Sequence, residues 1–153
     1  MKTVKQRLYD LCLEQVQNTI RNIEVAIAEI REASQNETKS SMGDKYETAR
    51  EMLQQDINLN MERLANAKAD ENTLKHISLQ QTATNESNVE LGSLVKTNNG
   101  WFYLAVSLGQ LTLDNDKYYA ISLSSPMGQQ LKSKSLGDSF TLNGKLLQIE
   151  AIL

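Results

Sequence analysis

The feature that most constrains this chain is an apolar stripe with coiled-coil spacing in its first half. The stripe advances by four, three, four and three residues through Val16, Ile20, Ile23, Ile27 and Ile30, and this spacing is typical of a helix that packs along a partner helix. A similar stripe follows at Ala49, Leu53, Ile57, Met61 and Leu64. A single helix in water would leave this narrow apolar stripe exposed. We therefore expect two long helices packed together.

The segment between the two stripes favours a turn. It reads SQNETKSSMG, is polar, and ends in Gly43, the only glycine before residue 88. We therefore predict an antiparallel helical hairpin, a coiled coil with helices at residues 3–34 and about 44–76. The alternative is a parallel dimer of one continuous helix, which the polar, glycine-bearing break makes less favourable.

The chain changes character near residue 80. Six of the seven glycines, the single proline and the single tryptophan all follow residue 88. Short β-rich segments flank Asn98-Asn99-Gly100 and Asn143-Gly144, which are hairpin signals. The segment YYAISL predicts a further strand. Between the hairpins, Ser125 and Pro126 predict the N-cap and first position of one short helix.

These patterns predict an α+β protein. We place the helical hairpin at residues 1–77, a polar linker at 78–88, and an antiparallel β domain with one short helix at 89–153.

The polar LDNDK segment carries Asp114 and Asp116, whose carboxylates suit calcium. A turn is favoured there, because the remaining ligands of a calcium loop are missing.

Charge and cysteine content exclude several classes of protein. The 153-residue chain has a net charge of −3, which argues against a protein that binds duplex DNA directly through its phosphates. One cysteine, Cys12, and one histidine, His76, cannot build a zinc site or an internal disulfide, and Cys12 is expected in the core. No apolar run reaches the length of a membrane span and the first residues lack a signal-peptide core, so we expect a cytoplasmic protein without a membrane partner.

Residues 121–138, ISLSSPMGQQLKSKSLGD, carry a resemblance to a known family. They resemble the C-terminal domain of the Gre transcript-cleavage factors of bacterial RNA polymerase, whose pattern is roughly I-S-x-x-S-P-x-x-x-x-L-x-x-K-x-x-G-D. In that family an FKBP-like domain follows an N-terminal helical hairpin, the order predicted here. The residues that fit the pattern are Ile121, Ser122, Ser125, Pro126, Leu131, Lys134, Gly137 and Asp138.

The start of the second helix resembles the hairpin tip of the same family. The family pattern there is like G-D-L-x-E-N-A, and this chain has Gly43, Asp44, Glu47 and Ala49 in register. The resemblance implies that the hairpin enters the secondary channel of RNA polymerase, where Asp44 and Glu47 help to hold a second Mg²⁺ in the polymerase active site. The polymerase then cleaves backtracked RNA. Such a protein is not itself an enzyme, binds no cofactor stably, and meets the RNA 3′ end only indirectly.

The resemblance also implies a docking surface on the rim of the channel, formed around Ser124, Ser125 and Pro126. Each candidate has a purely structural alternative. Asp44 and Glu47 also fit a capping box at the start of a helix, and Ser125 and Pro126 also fit a helix cap.

The tip departs from the family in composition and length. Lys45 stands where the family has leucine, Thr48 stands where it has asparagine, and the segment before Gly43 is several residues longer. The alternative function is therefore a Gre-like regulator or interaction protein that binds polymerase, or another partner, without stimulating cleavage.

Overall fold

A computed structural model describes residues 2–40, 44–79 and 87–153. Within these ranges, two long helices come first and are followed by six strands, with one short helix between the fourth and fifth strands. The helices are α1 (Val4–Ser40), α2 (Asp44–Leu79) and α3 (Pro126–Leu131). The strands are β1 (Leu94–Thr97), β2 (Gly100–Leu104), β3 (Gly109–Leu113), β4 (Asp116–Ile121), β5 (Ser139–Leu142) and β6 (Lys145–Ile152). The α+β prediction is confirmed. α1 extends six residues beyond its predicted end, while Gly43 and most of the predicted linker lie outside the described residues.

The chain divides into two compact units. One consists of Glu14–Glu71, and the other combines Met1–Leu13 with Asn72–Leu153. The start of α1 therefore groups with the end of α2, as expected for helices that run antiparallel.

In the unit of residues 14–71, the α1 stripe is buried as predicted. Four of its five residues are at most 8% exposed: Val16, Ile20, Ile23 and Ile27. The predicted apolar stripe of α2 is wrong at one position. Met61 is 45% exposed, while the neighbouring Asn60 is half-buried. The buried positions of α2 then continue at Leu64 and Ala67. The steps of three and four residues from Asn60 to Leu64 and Ala67 match the coiled-coil repeat, which Met61 would break.

The six strands form one sheet in the order β3-β4-β2-β1-β6-β5. Both predicted hairpins are confirmed, since β1 pairs antiparallel with β2 and β5 with β6. The predicted antiparallel β domain is confirmed, with one departure: β2 and β4 run parallel, while the other strand pairs are antiparallel. After β2 the chain first builds the edge strand β3, then turns back so that β4 lies between β3 and β2.

The turn between β3 and β4 confirms the interpretation of LDNDK. Asp114 and Asn115 both have positive φ angles, 53° and 70°, as a tight hairpin turn with two left-handed residues requires. Asparagine and aspartate tolerate this conformation better than other residues with side chains.

The sheet has a hydrophobic core on each face. On one face Leu131 of α3 packs with Phe102 and Leu104 of β2 and with residues of β1, β5 and β6. The side chain of Tyr103 points to the opposite face, because successive residues of a strand alternate, and it is fully buried. In the same compact unit, the start of α1 and the end of α2 carry four further buried side chains: Leu8, Cys12, Leu74 and Ile77.

Polar contacts link the start of α1 to residues beside the strands of the sheet. The guanidinium of Arg7 forms two hydrogen bonds with the carboxylate of Asp114, Nη1 to Oδ2 at 2.6 Å and Nη2 to Oδ1 at 3.1 Å. Lys5 Nζ donates to the backbone oxygen of Leu153 at 3.2 Å. None of the helices in the described ranges is long and apolar enough to cross a membrane.

Candidate partner-binding surfaces

The first candidate surface is the start of α2. Asp44 is the first residue of this helix, and its side chain lies outside the described part of the structure. Glu47 stands on the first turn and is exposed. Two residues three apart on a helix lie about 60° apart around its axis. The backbone therefore places the two carboxylate-bearing residues on one side of α2.

A shallow surface depression lies beside Glu47. It is lined by Glu47, Arg50, Glu51 and Gln54, which extend over about two turns of α2. Carboxylate oxygens are ligands that Mg²⁺ accepts, usually one or two from protein with the rest from phosphates and water. The guanidinium of Arg50 places a positive charge beside the two glutamates. Across the described ranges, no group of three or more His, Cys, Asp or Glu residues is placed to hold a metal ion.

The second candidate surface is the segment that enters α3. The structure confirms Ser125 as the N-cap and Pro126 in the first turn. The Ser125 hydroxyl donates to the Ser122 carbonyl at 2.7 Å and accepts from the Gly128 amide at 3.0 Å. Since both functions of this hydroxyl are used within the loop, Ser125 shapes the surface, while the exposed Ser124 and Pro126 face solvent.

The backbone of Ser124 is held from the helix. Its carbonyl accepts a hydrogen bond from the side-chain amide of Gln129, Nε2 to O at 3.0 Å. Its hydroxyl lies 3.0 Å from the hydroxyl of Ser122. No sequence pattern predicts this role for Gln129, because its partner is a main-chain atom five residues earlier.

Gly128 is the second residue of this surface that the sequence did not predict. A Cβ atom at this position would lie 2.0 Å from the carbonyl oxygen of Ser122 and 2.9 Å from the Cα of Leu123. Only glycine lets the first turn of α3 approach the preceding loop this closely. The sequence feature that could have indicated this role is the glycine inside a helical segment, since such a glycine often allows close packing.

The remaining residues of the 121–138 motif have structural roles. Leu131 is fully buried in the core, and Gly137 has a φ of +87°. Asp138 Oδ2 accepts from the Ser135 amide at 2.7 Å, and the Lys134 carbonyl accepts from the Val89 amide at 2.8 Å. Most residues that carry the resemblance are therefore needed to build α3 and the connection to β5.

Electrostatics in the unit that contains the sheet centre on Arg7 and Asp114. The hydrogen bonds and charge of Arg7 lower the pKa of Asp114 below its ordinary value, and Asp114 in turn raises the pKa of Arg7. Asp114 is thus engaged with a cation in a tight turn, which supports the turn over a calcium loop.

Together, these features define an α+β protein with a long helical hairpin and a six-stranded sheet, in which a hydrogen-bonded loop precedes a short helix. No protein-family model matches the sequence, and no curated protein matches it.

Proposed function

We propose that this protein is a Gre-like factor that binds bacterial RNA polymerase through its secondary channel and promotes cleavage of backtracked RNA. The observation that carries the proposal is the combination, in one chain, of two features in the family's order. The first is a packed helical pair whose second helix begins at Asp44, and the second is a sheet domain whose α3 segment fits the Gre pattern over residues 121–138.

In the proposed mechanism the tip carboxylates act inside the polymerase. Asp44 and Glu47 lie on one side of the first turn of α2, and Glu47 is exposed. In the complex, Mg²⁺ bound with their help would stabilise the attacking and leaving oxygens of the hydrolysed phosphodiester. The protein supplies oxygen ligands and negative charge, whereas the nuclease activity belongs to the polymerase. Mg²⁺ is therefore a ligand of the complex only.

In this proposal the sheet domain binds the polymerase. By its resemblance it is an FKBP-like domain that contacts the rim of the channel, with Ser124 and Pro126 exposed and Ser125 shaping the loop. A protein of this kind works in the cytoplasm, meets the RNA 3′ end only through the polymerase, and does not read DNA sequence.

One observation favours a second candidate, a channel-occupying regulator that does not stimulate cleavage. Arg50 lines the same depression as Glu47 and Glu51, and a positive charge near carboxylates disfavours the binding of a metal cation there. Lys45 adds a further cation to the sequence of the first turn. Both candidates require polymerase binding, and they differ only in the effect on transcript cleavage.

Binding of the full chain to purified bacterial core RNA polymerase tests the proposal. We expect a saturable complex, and we expect Pro126→Glu to weaken it about tenfold, since a charge placed in the centre of an interface removes at least one good contact. Gln110→Glu is the matched control, because Gln110 is also exposed but lies on the edge strand β3. Absence of binding by the wild-type chain would reject the proposal. Equal affinities for the Pro126 and Gln110 variants would reject this docking surface.

A further inference from the structure

The loop before α3 is fixed on its inner side by backbone contacts. The Ser122 carbonyl accepts from the amide of Ser125 at 3.2 Å and from the hydroxyl of Ser125 at 2.7 Å. Gly128 lies against the same carbonyl, where any Cβ would clash at 2.0 Å. Residues 122 and 125 are therefore held together, and Ser124 between them is exposed.

Among the described residues of α3, Gln129 makes a side-chain hydrogen bond to the Ser124 carbonyl. Gln129 is exposed, and its backbone amide already donates to the Ser125 carbonyl at 2.8 Å as part of the first helical turn. With its backbone fixed in this way, the side chain reaches back and donates Nε2 to the Ser124 carbonyl at 3.0 Å. This bond sets the orientation of the peptide that links the exposed Ser124 to Ser125.

We propose that Gln129 is a positioning residue for the docking surface formed by Ser124 and Pro126. This inference rests on the proposed function, because the surface is the one assigned to polymerase docking. A loop already held in its bound conformation loses less conformational freedom on association, and binding is tighter for that reason. Gln129 acts through the Ser124 carbonyl, so its contribution depends on a hydrogen-bond donor and not on the amide itself.

The test uses substitutions at position 129 and a control on the same helix. Gln129→Leu removes the donor, and Gln129→Glu keeps the shape but places acceptor oxygens against the Ser124 carbonyl. We expect either variant to raise the Kd for core RNA polymerase about fivefold, the effect of one net hydrogen bond. Gln130→Leu is the control, because Gln130 is equally exposed on α3; it should leave the Kd unchanged.

Two further measurements distinguish positioning from direct contact and from a folding defect. Gln129→Arg, which restores a donor, should recover most of the affinity, whereas a directly recognised glutamine would not be replaced by arginine. In the free protein, the carbonyl ¹³C shift of Ser124 should move in Gln129→Leu but not in Gln130→Leu, with similar melting temperatures.

The outcomes separate this inference from the proposed function. If the wild-type chain binds and Gln129→Leu binds equally well, the positioning role is overturned while the proposed function stands. An arginine variant as weak as the leucine variant would also overturn it. Failure of the wild-type chain to bind polymerase would overturn both.

Discussion

At the scale of single residues, the sequence predicted caps and core positions better than it predicted close approaches. Ser125 and Pro126 were identified as a helix start because capping depends on local residue type, and the structure confirms both. Gly128 and Gln129 were not identified. Their roles depend on a loop that folds back onto the helix, and a residue pattern does not report which main-chain carbonyl lies 2.0 Å from a missing Cβ.

Cys12 gives a direct test at this scale. Its side chain is fully buried, and burial raises the pKa of the thiol to about 12. Because the thiolate is the nucleophile, we expect no reaction with a thiol-specific reagent at pH 8 while the protein is folded. The thiol should react fully in concentrated urea. Rapid reaction of the folded protein would show that Cys12 is not in the core.

At the scale of elements, turn chemistry decided what could be predicted. The Asn-Gly and Asn-Asn-Gly signals gave two correct hairpins because such residues favour tight turns. β3 was missed because it begins with glycine and glutamine, which carry little strand preference. The parallel pairing of β2 with β4 follows from that missed strand. Met61 was wrongly predicted as a buried position of α2, because the half-buried residue there is Asn60. A polar residue at a buried position cannot be found from the spacing of apolar residues.

Asn98 shows that a turn residue can also extend a sheet. Its side chain donates Nδ2 to the Leu146 carbonyl at 3.1 Å and accepts from the Gln148 amide at 2.9 Å. Asn98→Ala should therefore lower the free energy of unfolding by about 1–3 kcal/mol, the net value of two hydrogen bonds, as measured by urea denaturation. Asn99→Ala serves as the control. The hydrogen bond from Asn99 to the Thr97 hydroxyl is donated by the backbone amide, which alanine retains. Equal stability of the two variants would contradict this role.

The pair formed by Arg7 and Asp114 predicts a pH dependence. The pKa of Asp114 is lowered in the folded protein, so the pair stabilises the fold above the unfolded pKa of about 4. That stabilisation is lost as the pH falls through the lowered, folded-state pKa. Asp114→Asn keeps a residue that tolerates the positive φ.

The asparagine variant should therefore melt below the wild type at pH 7, and the difference should shrink on acidification through the folded-state pKa of Asp114. Asp116→Asn, in the same hairpin, controls for a general change of charge. A difference in melting temperature that is the same at pH 7 and at pH 2 would show that the ion pair is not its cause.

At the scale of the whole molecule, the order of the parts was predictable and the function of the tip was not. Apolar spacing and the change in composition near residue 80 predicted a helical pair followed by a sheet, and the structure has both. The tip chemistry depends on how the side chains of Asp44 and Glu47 are presented to another molecule. A capping box and a pair of metal ligands require the same residues at the same spacing, so the sequence pattern is identical for both.

Charge-neutral substitutions separate these two roles. If the tip carboxylates serve a metal ion in the polymerase, Asp44→Asn and Glu47→Gln should each reduce stimulated cleavage of a backtracked transcript by about 100-fold or more, because metal-held charge contributes several kcal/mol in a transition state. Polymerase affinity should change little. If Asp44 only caps α2, asparagine is an equally good cap. The Asp44→Asn variant should then stimulate cleavage as strongly as the wild type.

The central claim is that the start of α2 lies near the active centre of RNA polymerase in the complex. Site-specific cross-linking tests it most directly, with a photoreactive amino acid at the exposed position of Glu47 and, as the control, at the exposed position of Lys117 on β4. In a backtracked complex, the probe at position 47 should form cross-links to the RNA 3′ end or to the polymerase active-site region, and the probe at position 117 should form none there. Equal or absent cross-linking from both positions, with polymerase bound, would contradict the account.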